Sequence, residues 1–301
     1  MSSTTTQDMV TAIVAHHQAT FAPCQAQAVP VSEFPESPVY NAALQACSTL
    51  GFIAVDAQTL ARAWMHQSQR LGEFAPQHWP DAPEDFGVRG RTPGQGFPAC
   101  PQLGLYGVLP DAEWVGRMAR AGVPTVQLRF KSEDSAAIAR EVRAAVEAVQ
   151  GTRALLFIND HWREAIAAGA YGVHLGQEDL DALSAEELTT LRASGLRLGV
   201  STHGYAEMCR ADAVGPSYIA LGAVFPTTLK KMATAPQGVA RLSAYARLMQ
   251  GYPLVAIGGI AAAQFPTIRA TGVGSIAVVR ALVQAPDPEA AAAELLAHMQ
   301  G

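Results

Sequence analysis

Ile158-Asn159-Asp160 and, further on, Gly172-Val173-His174-Leu175-Gly176-Gln177-Glu178-Asp179 are two apolar runs that each end in an acidic tip. Between them the chain opens a helical stretch, His161-Trp162-Arg163-Glu164-Ala165. Strand, helix and strand in this order specify a parallel βαβ unit, because a chain reaches a parallel neighbour only through a crossover. Adjacent strands lie about 5 Å apart, so Asp160 and Asp179 come together at one end of the unit. Two carboxylates in that arrangement can share one hard cation, magnesium, and through it hold a phosphate-bearing ligand.

Working outward, short β-branched or apolar runs recur at 103–109, 125–130, 154–158, 172–175, 197–201, 217–221, 254–257 and 275–279, with amphipathic helical stretches between them. Eight strands alternating with helices predict an α/β fold, a (β/α)8 TIM barrel over residues 103–301. In such a barrel the chemistry sits on the loops that follow the strands. Residues 1–102 differ in composition. They hold more than half of the chain's 19 prolines and no lysine, and the Pro/Gly-rich passage 92–101 reads as a linker. Helices are predicted at 8–20 and 41–69, so this N-terminal extension is expected to be helical. No chemistry is assigned to it. His16-His17 is a helical pair without acidic or cysteine neighbours, which argues against a metal site.

A formal charge of -5 and 49% hydrophobic residues in 301 describe a globular chain with a sizeable core. That charge argues against a nucleic-acid or membrane-surface partner, since both require a basic face. Residues 1–10 are polar and carry no secretory pattern, and no run approaches the roughly 18 apolar residues of a membrane span. Cys24, Cys47, Cys100 and Cys209 are scattered without metal-knot spacing. The expectation is a cytoplasmic enzyme with reduced thiols that acts on small molecules, with homo-oligomer formation left open.

The remaining strand ends supply candidate ligands. Strand alternation places Gln127, Arg129 and Lys131 on one face at the end of the second run, which suits an anion. Asp160 has a competing reading as a helix N-cap. Asp179 does not, because the next helix has its own capping box in Ser184-Ala185-Glu186-Glu187. The fifth run closes on Ser201-Thr202-His203, and the sixth opens a hydroxyl-rich basic loop, Thr227-Thr228-Leu229-Lys230-Lys231. Gly258-Gly259 after the seventh allows either a tight turn or close approach of backbone amides to a phosphate. The chain has three lysines against eighteen arginines, and Lys131, Lys230 and Lys231 all fall at predicted strand ends. Compact ammonium groups there suit a polyphosphate.

Over residues 103–299 these motifs resemble the thiamine phosphate synthase family. The resemblance rests on Gln127-Leu128-Arg129-Phe130-Lys131, Ile158-Asn159-Asp160, 173–179, Gly199-Val200-Ser201-Thr202-His203, Val224-Phe225-Pro226-Thr227, Ala235-Pro236-Gln237-Gly238 and Ala256-Ile257-Gly258-Gly259-Ile260. It implies a Mg2+-assisted transferase that joins hydroxymethylpyrimidine diphosphate to a thiazole phosphate, giving thiamine phosphate and pyrophosphate. It further implies that Asp160 and Asp179 bind the metal and that Gln127, Arg129, Lys131 and Lys230 hold the diphosphate. Asn159 and Ser201 would meet the pyrimidine, while Thr227, Thr228, Leu229, Gly258, Gly259 and the backbone at Val279 and Arg280 would receive the thiazole phosphate. Arg129, Lys131, Ser201 and Lys230 would be the catalytic set.

Two positions depart from the family pattern. Leu229 replaces a usual threonine and Arg280 a usual serine, and the guanidinium could replace the lost hydroxyl as a phosphate ligand. Three other readings stand beside this one: a thiazole tautomerase-like barrel, a Schiff-base aldolase using Lys131 or Lys230, and a non-catalytic sensor of a phosphate ligand.

Overall fold

The computed structural model describes residues 5–21, 25–92, 94–227 and 235–300. The chain divides into two compact units. The first comprises Met1–Gly90, Gly204–Ala213 and Arg247–Met249; the second comprises Arg91–His203, Val214–Ala246 and Gln250–Gly301. No helix among the described residues is long and apolar enough to cross a membrane.

The first unit is helical: α1 (Thr6–Phe21), α2 (Pro38–Thr49), α3 (Ala54–Leu71) and the short α4 (Pro83–Phe86). The single helix expected at 41–69 is two. Gly51 has φ 81, and the backbone N–H of Leu50 closes α2 on Ala46 and Ser48. A left-handed glycine cannot continue a right-handed helix, so the chain turns there and restarts at Ala54. The core is aromatic: Trp79 lies within 6.3 Å, centroid to centroid, of His17, Phe21, Phe52 and Trp64, and its indole N–H donates to the Tyr205 hydroxyl over 2.9 Å. Tyr205 also stacks on Phe86 at 5.4 Å. Because Tyr205 is almost fully buried and touches Phe52, Trp79 and Phe86, a chain starting at Gln102 strips those three partners from it. That chain is expected to lose roughly 1.5–3 kcal/mol of stability from this side chain, read as a lower urea midpoint than that of the full chain; equal midpoints would refute this.

The second unit is a closed barrel of eight parallel strands in chain order, as the alternation of runs predicts. The strands are β1 (Leu105–Leu109), β2 (Thr125–Leu128), β3 (Leu155–Asn159), β4 (Gly172–Leu175), β5 (Arg197–Thr202), β6 (Tyr218–Leu221), β7 (Leu254–Ile257) and β8 (Ser275–Val278). Arg91, Phe97 and Pro98 are bonded into this unit: the Arg91 guanidinium donates to Pro216 O, Phe97 N to Gly215 O, and Ser217 Oγ to Pro98 O.

Every second residue points inward, and aromatic rings fill the lower half of the barrel. Leu103, Tyr106, Val108, Phe157, Tyr218, Ala220, Val255 and Ala277 form one core cluster. Glycines on neighbouring strands make room for the rings. Phe157 pairs with Gly172 and Tyr218 with Gly199 in register. A Cβ on Gly172 would lie 2.5 Å from the Phe157 ring, and one on Gly199 only 2.1 Å from the Tyr218 ring. With this packed floor beneath them, the upper ends of the strands carry the cavity open to chemistry.

Candidate active site

The inward parity that carries Tyr106, Phe157 and Tyr218 continues upward into polar residues. On β2 and its extension it reaches Gln127, Arg129 and Lys131; on β3, Asn159; on β4, His174; on β5, Ser201. All of these line one cavity of about 930 Å³ at the strand C-termini. The backbone holds the row in place past the regular ladder, since Arg129 N donates to Leu109 O at 2.7 Å. Gln127 is nearly fully buried, and its amide donates to Asn159 Oδ1 at 2.7 Å. Bonded in this sense, the pair shows the cavity a Gln127 carbonyl and an Asn159 NH2, one acceptor beside one donor.

Asp160 follows Asn159 and by alternation should point outward. It has φ 63, the left-handed region, which among non-glycine residues Asp and Asn enter most readily. That turn brings its side chain to the cavity wall and into hydrogen-bonding reach of Asp179. The helix-cap reading is overturned: the helix Trp162–Ala168 has His161 at its N-cap, with no side-chain cap bond. Asp179 also differs from expectation. It is not a free turn residue but sits in the first turn of the helix Gln177–Ala182, and its Oδ2 accepts from Gly176 N at 2.9 Å. The capping box at Ser184 and Glu187 is present, yet the chain fits one more short helix before it.

Burial, and next the charge of Asp179, push the Asp160 carboxyl above its ordinary range, against a smaller opposing effect of His161 and Lys131. A divalent cation between two such carboxylates relieves their repulsion and matches their hard oxygens. The donor set therefore fits a metal ion. Among the described residues no cluster of three or more His, Cys, Asp or Glu forms, and the two carboxylates by themselves would supply only part of such an ion's coordination.

On the opposite wall Gly258 and Gly259 take φ 107 and 66. A Cβ at Gly258 would meet Ala223 at 2.5 Å, and one at Gly259 would meet Pro226 O at 2.5 Å. Both glycines are thus required by the turn, and both line the cavity together with Thr227, Val279 and Arg280. Of the residues singled out from the sequence, Thr228, Leu229, Lys230 and Lys231 lie outside the described residues. His174 received no role from the sequence, although it shares the inner parity of β4 and pairs in register with Asn159. That parity was the available signal.

Comparisons with known proteins bear on the family and the fold. A family model described as thiamine monophosphate synthase matches residues 107–282. A thiamine-phosphate synthase of Neisseria meningitidis serogroup B is 55% identical over 188 residues, covering 62% of this chain and 90% of the relative. One from Yersinia pestis is 48% identical over 211 residues, 70% of this chain and 96% of the relative. A solved thiamine phosphate pyrophosphorylase from Pyrococcus furiosus superposes with a TM-score of 0.58 at 27% identity, over 66% of this chain and 96% of the other. On the extent of these matches, the chain belongs to the thiamine monophosphate synthase family.

Proposed function

We propose that the chain is a thiamine-phosphate synthase, a transferase that joins hydroxymethylpyrimidine diphosphate to a thiazole phosphate with release of pyrophosphate. The observation that carries this reading is the convergence on one cavity of a paired carboxylate site, Asp160 and Asp179, with the cations Arg129 and Lys131 and a glycine-lined corner. Such a wall suits a pair of substrates, one carrying a diphosphate and the other a single phosphate.

In the reaction, the bond between the pyrimidine methylene carbon and the diphosphate oxygen breaks, and its electron pair leaves with pyrophosphate. The aminopyrimidine stabilises the resulting cation by electron release from its ring. The thiazole nitrogen lone pair then forms the new C–N bond, and no base is needed because that nitrogen bears no proton. Arg129 and Lys131 neutralise the departing anion, a task that fixed cations perform without reorganisation. Mg2+, held by Asp160 and Asp179, would supply further charge neutralisation at the diphosphate oxygens. We move Gln127 from the diphosphate, where the resemblance puts it, to the pyrimidine, because its amide is bonded to Asn159; the two then present an acceptor and a donor that match the amino group and a ring nitrogen of the pyrimidine, and Ser201 adds a hydroxyl beside them. We assign Lys230 to the diphosphate, and Thr227, Thr228, Leu229, Gly258, Gly259, Val279 and Arg280 to the thiazole phosphate.

The test is pyrophosphate release by the full chain with both phosphorylated substrates and magnesium. Stoichiometric pyrophosphate and thiamine phosphate are expected. Tight ligand binding without pyrophosphate release would instead favour a sensor, and conversion of the thiazole alone a tautomerase. Arg280→Ser is expected to raise KM for the thiazole phosphate about tenfold, the worth of one hydrogen bond to a charged group. An unchanged KM would remove Arg280 from the phosphate site.

A further inference from the structure

From the buried barrel core up to the cavity wall, four polar side chains from four strands form one hydrogen-bonded line. Tyr106 Oη lies 2.8 Å from Tyr218 Oη, Tyr218 Oη lies 2.7 Å from His174 Nδ1, and His174 Nε2 lies 2.8 Å from Ser201 Oγ. Tyr106 and Tyr218 are 1% and 0% exposed, and burial raises both phenols well above their ordinary range, so each keeps its proton. Ser201, at the other end, faces the cavity.

Each hydroxyl in this line has one proton to give, which allows only two directions. If Tyr106 donates to Tyr218, then Tyr218 donates to Nδ1, Nε2–H donates to Ser201, and the Ser201 proton is turned toward the cavity. In the reverse direction Ser201 donates to Nε2, Nδ1–H to Tyr218, and Tyr218 to Tyr106. The Tyr106 proton is then buried with no acceptor, since Tyr218 is the hydrogen-bond partner of its hydroxyl among the described residues. Folded proteins avoid such unmet donors. A ring carrying both protons leaves the same donor unmet.

We propose that Tyr106 and Tyr218 are positioning residues that hold His174 as the Nε2–H tautomer and thereby make Ser201 a hydrogen-bond donor to the cavity. The ligand atom at Ser201 is then one with a lone pair and no hydrogen, such as an unprotonated ring nitrogen. With respect to substrate, this rests on the reading that an aminopyrimidine diphosphate binds here. The line is also fixed sterically, because Tyr218 occupies the space that a side chain on Gly199 would fill, its hydroxyl 2.4 Å from where that Cβ would stand.

The test begins with 15N NMR of the imidazole-labelled full chain without substrate. His174 Nε2 is expected to be pyrrole-like and Nδ1 pyridine-like, with Nδ1 shifted by an accepted hydrogen bond. A protonated Nδ1 overturns the proposal. Tyr218→Phe is expected to remove the Nδ1 hydrogen-bond shift and to raise KM for the pyrimidine diphosphate roughly 3- to 10-fold, the worth of one such bond, with KM for the thiazole phosphate unchanged. A merely structural loss would not separate the two substrates. Adding Tyr106→Phe to that variant is expected to change neither reading, because Tyr106 acts only through Tyr218. Equal KM for the pyrimidine diphosphate in folded native and Tyr218→Phe chains overturns the proposal. Failure of the native chain to release pyrophosphate would instead refute the functional reading and leave the NMR result to decide the tautomer.

Discussion

Asp160→Asn is expected to lower turnover by about a hundredfold or more, the scale of losing one preorganised electrostatic contact in an active site, while the metal-free protein melts no lower than the native chain. Two features of Asp160 make these effects oppose each other. Its backbone is left-handed, and asparagine adopts that conformation as readily as aspartate, so the substitution adds no strain. Its carboxyl is disfavoured in the charged form by burial and by Asp179, so removing the charge removes a cost. The same change deprives a divalent ion of half its carboxylate set. Turnover measured across a magnesium titration, together with a melting curve in chelator, checks both halves. Native-level turnover at limiting magnesium would sink the metal assignment, and a large fall in the chelator melting temperature would show that Asp160 is structural instead.

The second large effect is expected at the barrel floor. Gly199→Ala places a methyl 2.1 Å from Tyr218 Cζ, a separation that no packing tolerates. The ring cannot retreat, because Tyr106 and Phe157 lie at centroid distances of 6.0 and 5.1 Å behind it. Overfilling a tight core typically costs about 1–3 kcal/mol and occasionally more, and the rigidity of three packed rings puts this site at about 3 kcal/mol or above. A urea midpoint well below the native value is the expected reading. Pairing the change with Tyr218→Phe, which removes the hydroxyl 2.4 Å from the new methyl while the ring carbons at 2.1 and 2.3 Å stay, should recover only a small part of that loss. An unaltered midpoint in Gly199→Ala would mean that the ring has room to move.

Much of this site could be read in one dimension because it follows the period-two alternation of strands. Gln127, Arg129 and Lys131 stand on one face for the same reason that Tyr106 and Val108 do. What alternation could not give was Asp160, which reaches the cavity only because its own φ breaks the pattern. Asp179 was misread as unengaged, since the short helix Gln177–Ala182 lacks the length by which helices are recognised. The helix expected over 41–69 likewise failed at Gly51, where amphipathic spacing runs on through a backbone reversal.

Strand count, chain order, the family motifs and the end of the barrel that carries chemistry all depend on local periodicity, and the 301 residues specify them without reference to a fold. The line from Tyr106 through Tyr218 and His174 to Ser201 joins residues 112, 44 and 27 positions apart, and the pairing of Gly199 with Tyr218 depends on register. Such contacts exist only once the sheet has closed and each strand has settled against its neighbour. Composition names the groups that can donate, accept or ionise. Barrel closure determines which of them meet, and so which way the Ser201 proton points.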